Sequence, residues 1–139
     1  MYDESNAKLL IALQNNARAS FAELGRIVGL TPPAVTERVR RLDEDGLIRG
    51  YRADVDYSKL GYTISAFIRM KVTPQKYSQL HGLARSIKEI RECHHLSGED
   101  SFMLRVHAES VADLESIIQR LSEYGTTATA IVLSSPVMK

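Results

Sequence analysis

The chain has 139 residues, 44% apolar and 25% charged, enough for one medium core or two small ones and too apolar for a disordered segment. The formal charge is +1, with eight basic and seven acidic side chains in residues 1–52, so no basic tail exists and any acidic partner must be met by well-placed residues. One cysteine, Cys93, excludes an internal disulfide; no apolar run nears the ~20 residues of a membrane span, and the start MYDESNAK lacks the pattern of a signal peptide, so a cytoplasmic protein is expected.

Asp3 to Asn16 reads as a first helix with Ala7, Leu10, Ile11 and Leu13 facing inward. Ser20 and Glu23 have the spacing of a capping box, which opens a second helix that buries Phe21, Leu24, Ile27 and Val28. Gly29 follows where a left-handed stop is cheapest, and Gly25 inside the helix marks a close approach. Thr31 caps a third helix with Pro32 in its first turn and Val35, Val39 and Leu42 as its buried stripe; it ends near Asp45-Gly46. Two short capped helices joined by a glycine turn have the layout of a helix-turn-helix, and the helix before them completes a three-helix DNA-binding unit. With that stripe inward, Pro33, Thr36, Glu37, Arg40 and Arg41 turn outward, flanked by Ala34 and Arg38. Small groups near the start and guanidinium groups further along suit a helix whose N-terminal end enters the major groove. From Arg18 to Arg52 all seven basic residues are arginine, which favours bidentate contacts with phosphate and guanine.

Leu47 to Tyr57 alternates loosely through Ile48, Tyr51, Ala53 and Val55 and predicts a linking strand or small wing, with a hinge at Lys59-Leu60-Gly61. The period then becomes two. Thr63 to Val72 places Ile64, Ala66, Ile68, Met70 and Val72 on one face and Ser65, Phe67, Arg69 and Lys71 on the other. Thr73-Pro74 opens a helix through about Ile87, with Tyr77, Leu80, Leu83, Ala84 and Ile87 inward. Strands near Ile90 to Ser97 and Phe102 to Ala108 flank the turn Gly98-Glu99-Asp100-Ser101, and Ser110 caps a helix with Val111, Leu114, Ile117, Ile118 and Leu121 inward. A last strand covers about Thr127 to Ser134.

The fold class is therefore α+β, with a helix-turn-helix domain at 1–50, a linker strand and hinge at 51–62, and a ferredoxin-like βαββαβ domain at 63–139. Alternation leaves an open sheet face with Phe67, Cys93, Met103, Ile131 and Leu133 among Arg69, His95, Arg105 and His107. A mixed patch of that kind marks an association surface, and two copies packed sheet against sheet supply the two-fold symmetry that paired half-sites require.

Two other function classes compete, a metal- or redox-responsive binding protein using Cys93, His95 and His107, and an enzyme. Cys93, His94, His95 and His107 offer metal-ligating groups, with Cys93 and His107 roughly opposite in the hairpin, but neighbours on a strand point to opposite faces and paired cysteines at metal-finger spacing are absent, so no metal is expected. Catalysis has no glycine-rich phosphate loop, nucleophile elbow or paired His/Asp set to rest on, and Asp54 and Asp56 read as a solvated turn.

The run ELGRIVGLTPPAVTERVRRLDEDGL, followed by IRGYRADVDYSKLG and a βαββαβ domain with a glycine-acidic turn, resembles the Lrp/AsnC family of transcription regulators over nearly the whole chain. The resemblance implies DNA binding by the N-terminal domain, a regulator-of-amino-acid-metabolism module that forms homodimers and higher assemblies such as octamers, and an amino acid or similar metabolite as effector. It places the recognition helix at Pro32 to Asp43 with Thr31 as cap. Ser20, Thr31, Pro33, Ala34, Thr36, Glu37, Arg38, Arg40 and Arg41 form the DNA-binding set, and Gly98, Glu99, Asp100, Ser101 and Phe102 form the effector turn. Asp100 stands where an aromatic is common and Ser101 where a second acid is common; either Glu99 or Asp100 can hold an ammonium group while loop amides hold a carboxylate.

Overall fold

In the computed structural model, which describes residues 3–139, the chain divides into two compact units, Met1–Asp54 and Val55–Lys139, each with its own apolar core. The first contains α1 (Glu4–Asn15), α2 (Phe21–Val28) and α3 (Pro32–Glu44). Its helix ends follow the capping chemistry of the sequence. Asp3 accepts from the Asn6 amide, Ser20 and Glu23 form a reciprocal capping box, and the Thr31 hydroxyl accepts from the Ala34 amide. Gly29 stops α2 at φ 74°, a conformation that costs a residue with a Cβ about 1–2 kcal/mol.

The core of this unit is Leu9, Ala12, Leu13, Leu24, Val35, Val39 and Leu42. The α3 stripe is the expected one. Leu13 is buried as expected, but the rest of the α1 stripe is rotated: Leu9 and Ala12 are buried with it, Ala7 and Leu10 are half-buried, and Ile11 is 58% exposed. In α2, Leu24 and Gly25 are buried, whereas Phe21 and Ile27 lie largely in solvent. An eight-residue helix has room for one buried position per turn against two partners, so the apolar residues that flank Leu24 are left outside.

The expected linking strand does not form. Residues 47–56 carry no ladder, because a strand needs a neighbour and none lies beside them among the described residues; Ile48 packs on the core and the Tyr51 hydroxyl donates to Asp43 at 3.1 Å. A single 3-10 turn at Tyr57–Leu60, capped by Asp56 and closed by Gly61 at φ 95°, opens the second unit.

That unit is β1 (Ile64–Val72), α4 (Tyr77–Ser86), β2 (Ile90–His95), β3 (Phe102–Ala108), α5 (Val111–Ser122) and β4 (Gly125–Ile131). The antiparallel sheet has the order β2-β3-β1-β4, and Leu80, Ala84, Ile87, Leu114, Ile117 and Leu121 cover one face of it over Ala66, Ile68, Met70, Leu104 and Val106. This is the ferredoxin-like arrangement expected. The first turn of the α4 segment is 3-10, β2 and β4 end two and three residues early, and Val111 of the expected inner α5 face is 55% exposed.

Which residues face the open side differs in two strands. A bulge between Ile90 and Glu92 sets two residues of β2 against one of β3, which reverses the alternation. Cys93 and His95 consequently lie opposite Leu104 and Phe102 on the helix side, while Glu92 and His94 take the open face. In β4, Ile131 is opposite Ala66 and so shares the helix side, and Leu133 lies past the strand end, 96% exposed. The open face therefore presents Phe67, Arg69, Met103, Arg105 and His107 with Ala128 and Ala130. The Arg105 guanidinium lies 5.5 Å from the Phe67 ring centroid, and His107 stacks on Tyr57 at 4.6 Å. Ser65 Oγ and Arg105 Nε are sealed from solvent on this face and find no hydrogen-bond partner among the described residues.

Candidate nucleic-acid interface and effector turn

The close packing of the helix-turn-helix depends on Gly25, where a Cβ would collide with the carbonyl oxygen of Leu30. The Leu30 amide in turn donates to the Gly25 carbonyl at 2.9 Å, so α2 and the turn that leads into α3 are tied at one point. This presents the α3 face opposite Val35, Val39 and Leu42 to solvent. Pro33, Thr36, Arg40 and Arg41 are exposed there, with Ala34 and Glu37 half-buried. The Thr36 hydroxyl donates back to the Pro32 carbonyl at 2.9 Å. Ser20 and Thr31 are exposed at the starts of their helices, with their hydroxyl oxygens engaged as caps.

The arginines of this face are not free. Arg40 donates through Nε and Nη2 to Glu37 and through Nη1 to Glu44, the last two contacts at 2.6 Å, and Arg41 Nε donates to Glu37 at 3.0 Å. The Arg40 hydrogen bonds, followed by that from Arg41, pull the Glu37 carboxyl down to about 2, so it is ionised at any working pH. Arg38 differs from its neighbours. Its Nη1 reaches both Asp3 oxygens at 3.1 and 2.9 Å and Asn6 Oδ1 at 3.0 Å, which pins α3 to the start of α1. The family resemblance groups Arg38 with Arg40 and Arg41, and helical spacing places it on a flank; neither shows which neighbouring helix end that flank meets.

At the other candidate site, the hairpin between β2 and β3 closes with Leu96 N donating to Ser101 O at 2.8 Å, and Gly98 adopts φ 109° with open space around it. Glu99 is exposed 3.5 Å from Lys71, and Asp100 is half-buried 3.7 Å from Arg69. Ser101 serves the fold: its amide donates to Met70 O at 2.7 Å, and its hydroxyl accepts from Val72 N and donates to Val72 O, both at 3.1 Å. Phe102 is 1% exposed, stacked on His95 at 4.8 Å and edge-on to Tyr77 and His81, so it is a core residue beneath the turn. Arg69 and Lys71, the cations that meet the turn acids, were visible only as outward positions of β1. Beside them a groove runs along Thr73, Lys76, Glu123 and Tyr124.

The metal-ligand set does not converge. Cys93 lies opposite Leu104 instead of His107, and it shares the helix side with His95 while His107 is on the open face. Among the described residues no three His, Cys, Asp or Glu side chains are grouped to hold an ion. Burial pushes the Cys93 thiol up, away from the thiolate a metal requires. Among the described residues no helix is long and apolar enough to cross a membrane.

Family models match both units: an AsnC-type helix-turn-helix domain over residues 3–43 and an Lrp/AsnC ligand binding domain over residues 65–139. The chain is 38% identical over 133 residues to the uncharacterized HTH-type transcriptional regulator YezC of Bacillus subtilis, spanning 96% of this chain and 94% of that one. The solved structure of B. subtilis LrpC matches with a TM-score of 0.95 at 32% identity, covering 100% of this chain and 99% of LrpC. A feast or famine regulatory protein from M. tuberculosis, solved in complex with L-methionine, matches with a TM-score of 0.89 at 29% identity, covering 98% and 95%. With a capped helix-turn-helix in one unit and a βαββαβ domain in the other, each matched by its own family model, the chain belongs to the Lrp/AsnC family of DNA-binding transcription regulators.

Proposed function

We propose that this regulator is a ligand-tuned oligomer that reads DNA with the outer face of α3 and senses an amino acid at the β2-β3 turn. The observation that carries the DNA half is the outward set Pro33, Thr36, Glu37, Arg40 and Arg41, held on a helix capped by Thr31 and fixed to α2 at Gly25. Ala34, Ser20 and Thr31 border that face, their caps orienting helix starts toward phosphate, and Arg38 positions α3 instead of touching bases. The small side chains near the α3 start admit the groove floor, and Arg40 and Arg41 exchange carboxylate partners for phosphate or guanine.

The effector half rests on Gly98, Glu99 and Asp100. The Asp100 carboxylate lies 3.7 Å from Arg69 of the neighbouring strand β1, so an ammonium group finds an acid in the turn while loop amides hold a carboxylate. A relative that holds L-methionine supports an amino acid as the class of ligand. Phe102 and Ser101 support the turn from beneath. Two copies packing their open sheet faces together form the homodimer. Phe67, Met103, Ala128 and Ala130 supply its apolar centre, and a partner offers hydrogen-bond groups to Ser65 and Arg105. Dimers then join further, in assemblies such as octamers, and the effector acts by binding one assembly more tightly than another.

Fluorescence anisotropy of labelled DNA from upstream of this protein's own gene tests both halves, at two salt concentrations, with and without L-methionine and then a mixture of the common amino acids. Selective binding, steeply weakened by salt and altered by an amino acid, is expected, and Arg41→Ala weakens it in a folded protein. Unchanged affinity in folded Arg41→Ala removes α3 from the interface. A Gly98→Val variant that loses DNA binding along with the effector response reduces the turn to a structural element.

A further inference from the structure

We infer that Glu37 is a specificity gate on the recognition face, its carboxylate rejecting most duplexes and accepting those that offer it the amino group of a cytosine. This rests on the reading that the outer face of α3 meets DNA. On that face Glu37 is placed between the two exposed arginines and bonds both: Arg40 Nη2 at 2.6 Å and Arg41 Nε at 3.0 Å through one oxygen, Arg40 Nε at 3.1 Å through the other. Arg40 has Nε and both terminal nitrogens committed to carboxylates, whereas Arg41 gives Glu37 only its Nε. A duplex that engages Arg40 must take it from Glu37, and it then faces a carboxylate stripped of its main partner on the outer face of α3.

Most groups on the major-groove base edges are acceptors or methyls, and phosphates are anionic, so at a site that puts one of these opposite Glu37 the freed carboxylate is repelled and desolvated without a partner. Cytosine presents an N4 amino donor, and adenine's N6 donor is flanked by the N7 acceptor; a carboxylate, which only accepts, fits the cytosine edge better. Where a cytosine lies opposite Glu37, the lost arginine contacts are replaced on both sides. Glu44 provides a contrast. It bonds Arg40 alone, from the last turn of the helix, so it weakens Arg40 without facing the groove at the same point.

The test uses the full chain. Duplexes are selected by the wild-type protein from a random-sequence pool, and anisotropy then compares the selected duplexes with the unselected pool for wild type, Glu37→Gln, Glu44→Gln and Arg41→Ala. For Glu37→Gln the ratio of selected to unselected affinity is expected to fall roughly tenfold, chiefly because the unselected pool binds more tightly, and reselection by this variant loses a cytosine preference at one half-site position. Glu44→Gln is expected to tighten both pools alike. Glutamine favours helix and Glu37 is on the surface, but Glu37→Ala carries the same expectation should the first variant misfold. An unchanged ratio and an unchanged base preference in Glu37→Gln, with Arg41→Ala still weakening both pools, overturns the gate; so does a Glu44→Gln variant that matches Glu37→Gln. Arg41→Ala without effect on either pool instead overturns the placement of α3 on DNA, and the gate with it.

Discussion

Replacing Gly25 with alanine pits two effects of known size against each other. In a helix interior alanine is favoured over glycine by about 1 kcal/mol, so propensity alone predicts a more stable protein. Against that, the new Cβ lands on the Leu30 carbonyl oxygen, with Val35 Cγ2 in ordinary contact at 3.7 Å behind it. The obstacle is backbone, and its residue is held by the 2.9 Å bond from the Leu30 amide to the Gly25 carbonyl, so a side-chain rotation cannot relieve the clash. Crowding a packed site costs typically 1–3 kcal/mol, and a backbone obstacle puts this one near ~3, leaving a net loss of about 2 kcal/mol. Because the chain has two units with separate cores, a single melting curve does not isolate the effect. Native-state amide exchange over Leu24 to Val39 does, and a loss of ~2 kcal/mol appears there as about 30-fold faster exchange. The amides of β1 and β3 serve as the internal reference and should not change. Exchange in α2 and α3 that is slowed, as helix propensity alone would have it, refutes the close approach as the reason for glycine.

In the second unit, Ser101→Ala leaves the Val72 amide without its acceptor and should cost about 1–3 kcal/mol, read as faster native-state exchange of the β1 and β3 amides with those of α2 and α3 as the reference, while Ser101→Thr retains most of the wild-type protection. Exchange in β1 equal to wild type in the alanine variant would mean that water replaces the hydroxyl. In the first unit, Asp3→Asn and Arg38→Ala should each speed exchange in α1, and the double variant should be no faster than the worse single one. The Asn6 amide, and after it Arg38, hold the Asp3 carboxyl below its ordinary value of ~3.9, so this tie is present at neutral pH and is lost as pH falls through that lowered native value. Loss of α1 protection already between pH 7 and 5 would assign the tie to other groups.

Local chemistry made most of the helical unit legible in the sequence. Ser20 with Glu23 and Thr31 with the Ala34 amide each state a helix start through a bond that forms within three residues, Gly29 states a helix end through its left-handed φ, and all are found where expected. What failed was rotation. In α1 the expected 7-10-11-13 set and the observed 9-12-13 set are both apolar and share only Leu13; the deciding term is where α2 and α3 lie, which no local pattern contains. The partner of Arg38 is hidden from the sequence for the same reason: it is 35 residues away.

Strands are harder, since a single extra residue turns every following side chain over. β1 and β3 alternate cleanly, with Ile64 to Val72 and Phe102 to Ala108 each sorting apolar to one side, and both were assigned correctly. β2 reads Ile-Arg-Glu-Cys-His-His, with no second aliphatic residue to reveal the bulge at Arg91, so Cys93 and His95 were placed on the wrong face and a metal site looked geometrically open. β4 reads Gly-Thr-Thr-Ala-Thr-Ala-Ile, where neither alternating set is apolar enough to declare a side. The same dependence on register explains the effector turn. Pairing of β1 with β3 ends at Met70 and Phe102, so Val72 on that edge needs partners for both its amide and its carbonyl. Ser101 supplies them with one hydroxyl. Asp100 then emerges from a turn anchored on both sides, held beside Arg69. A second acid at position 101 could accept from the Val72 amide but not donate to its carbonyl, so serine at this place gives up one candidate ligand group and ties the turn to β1 instead.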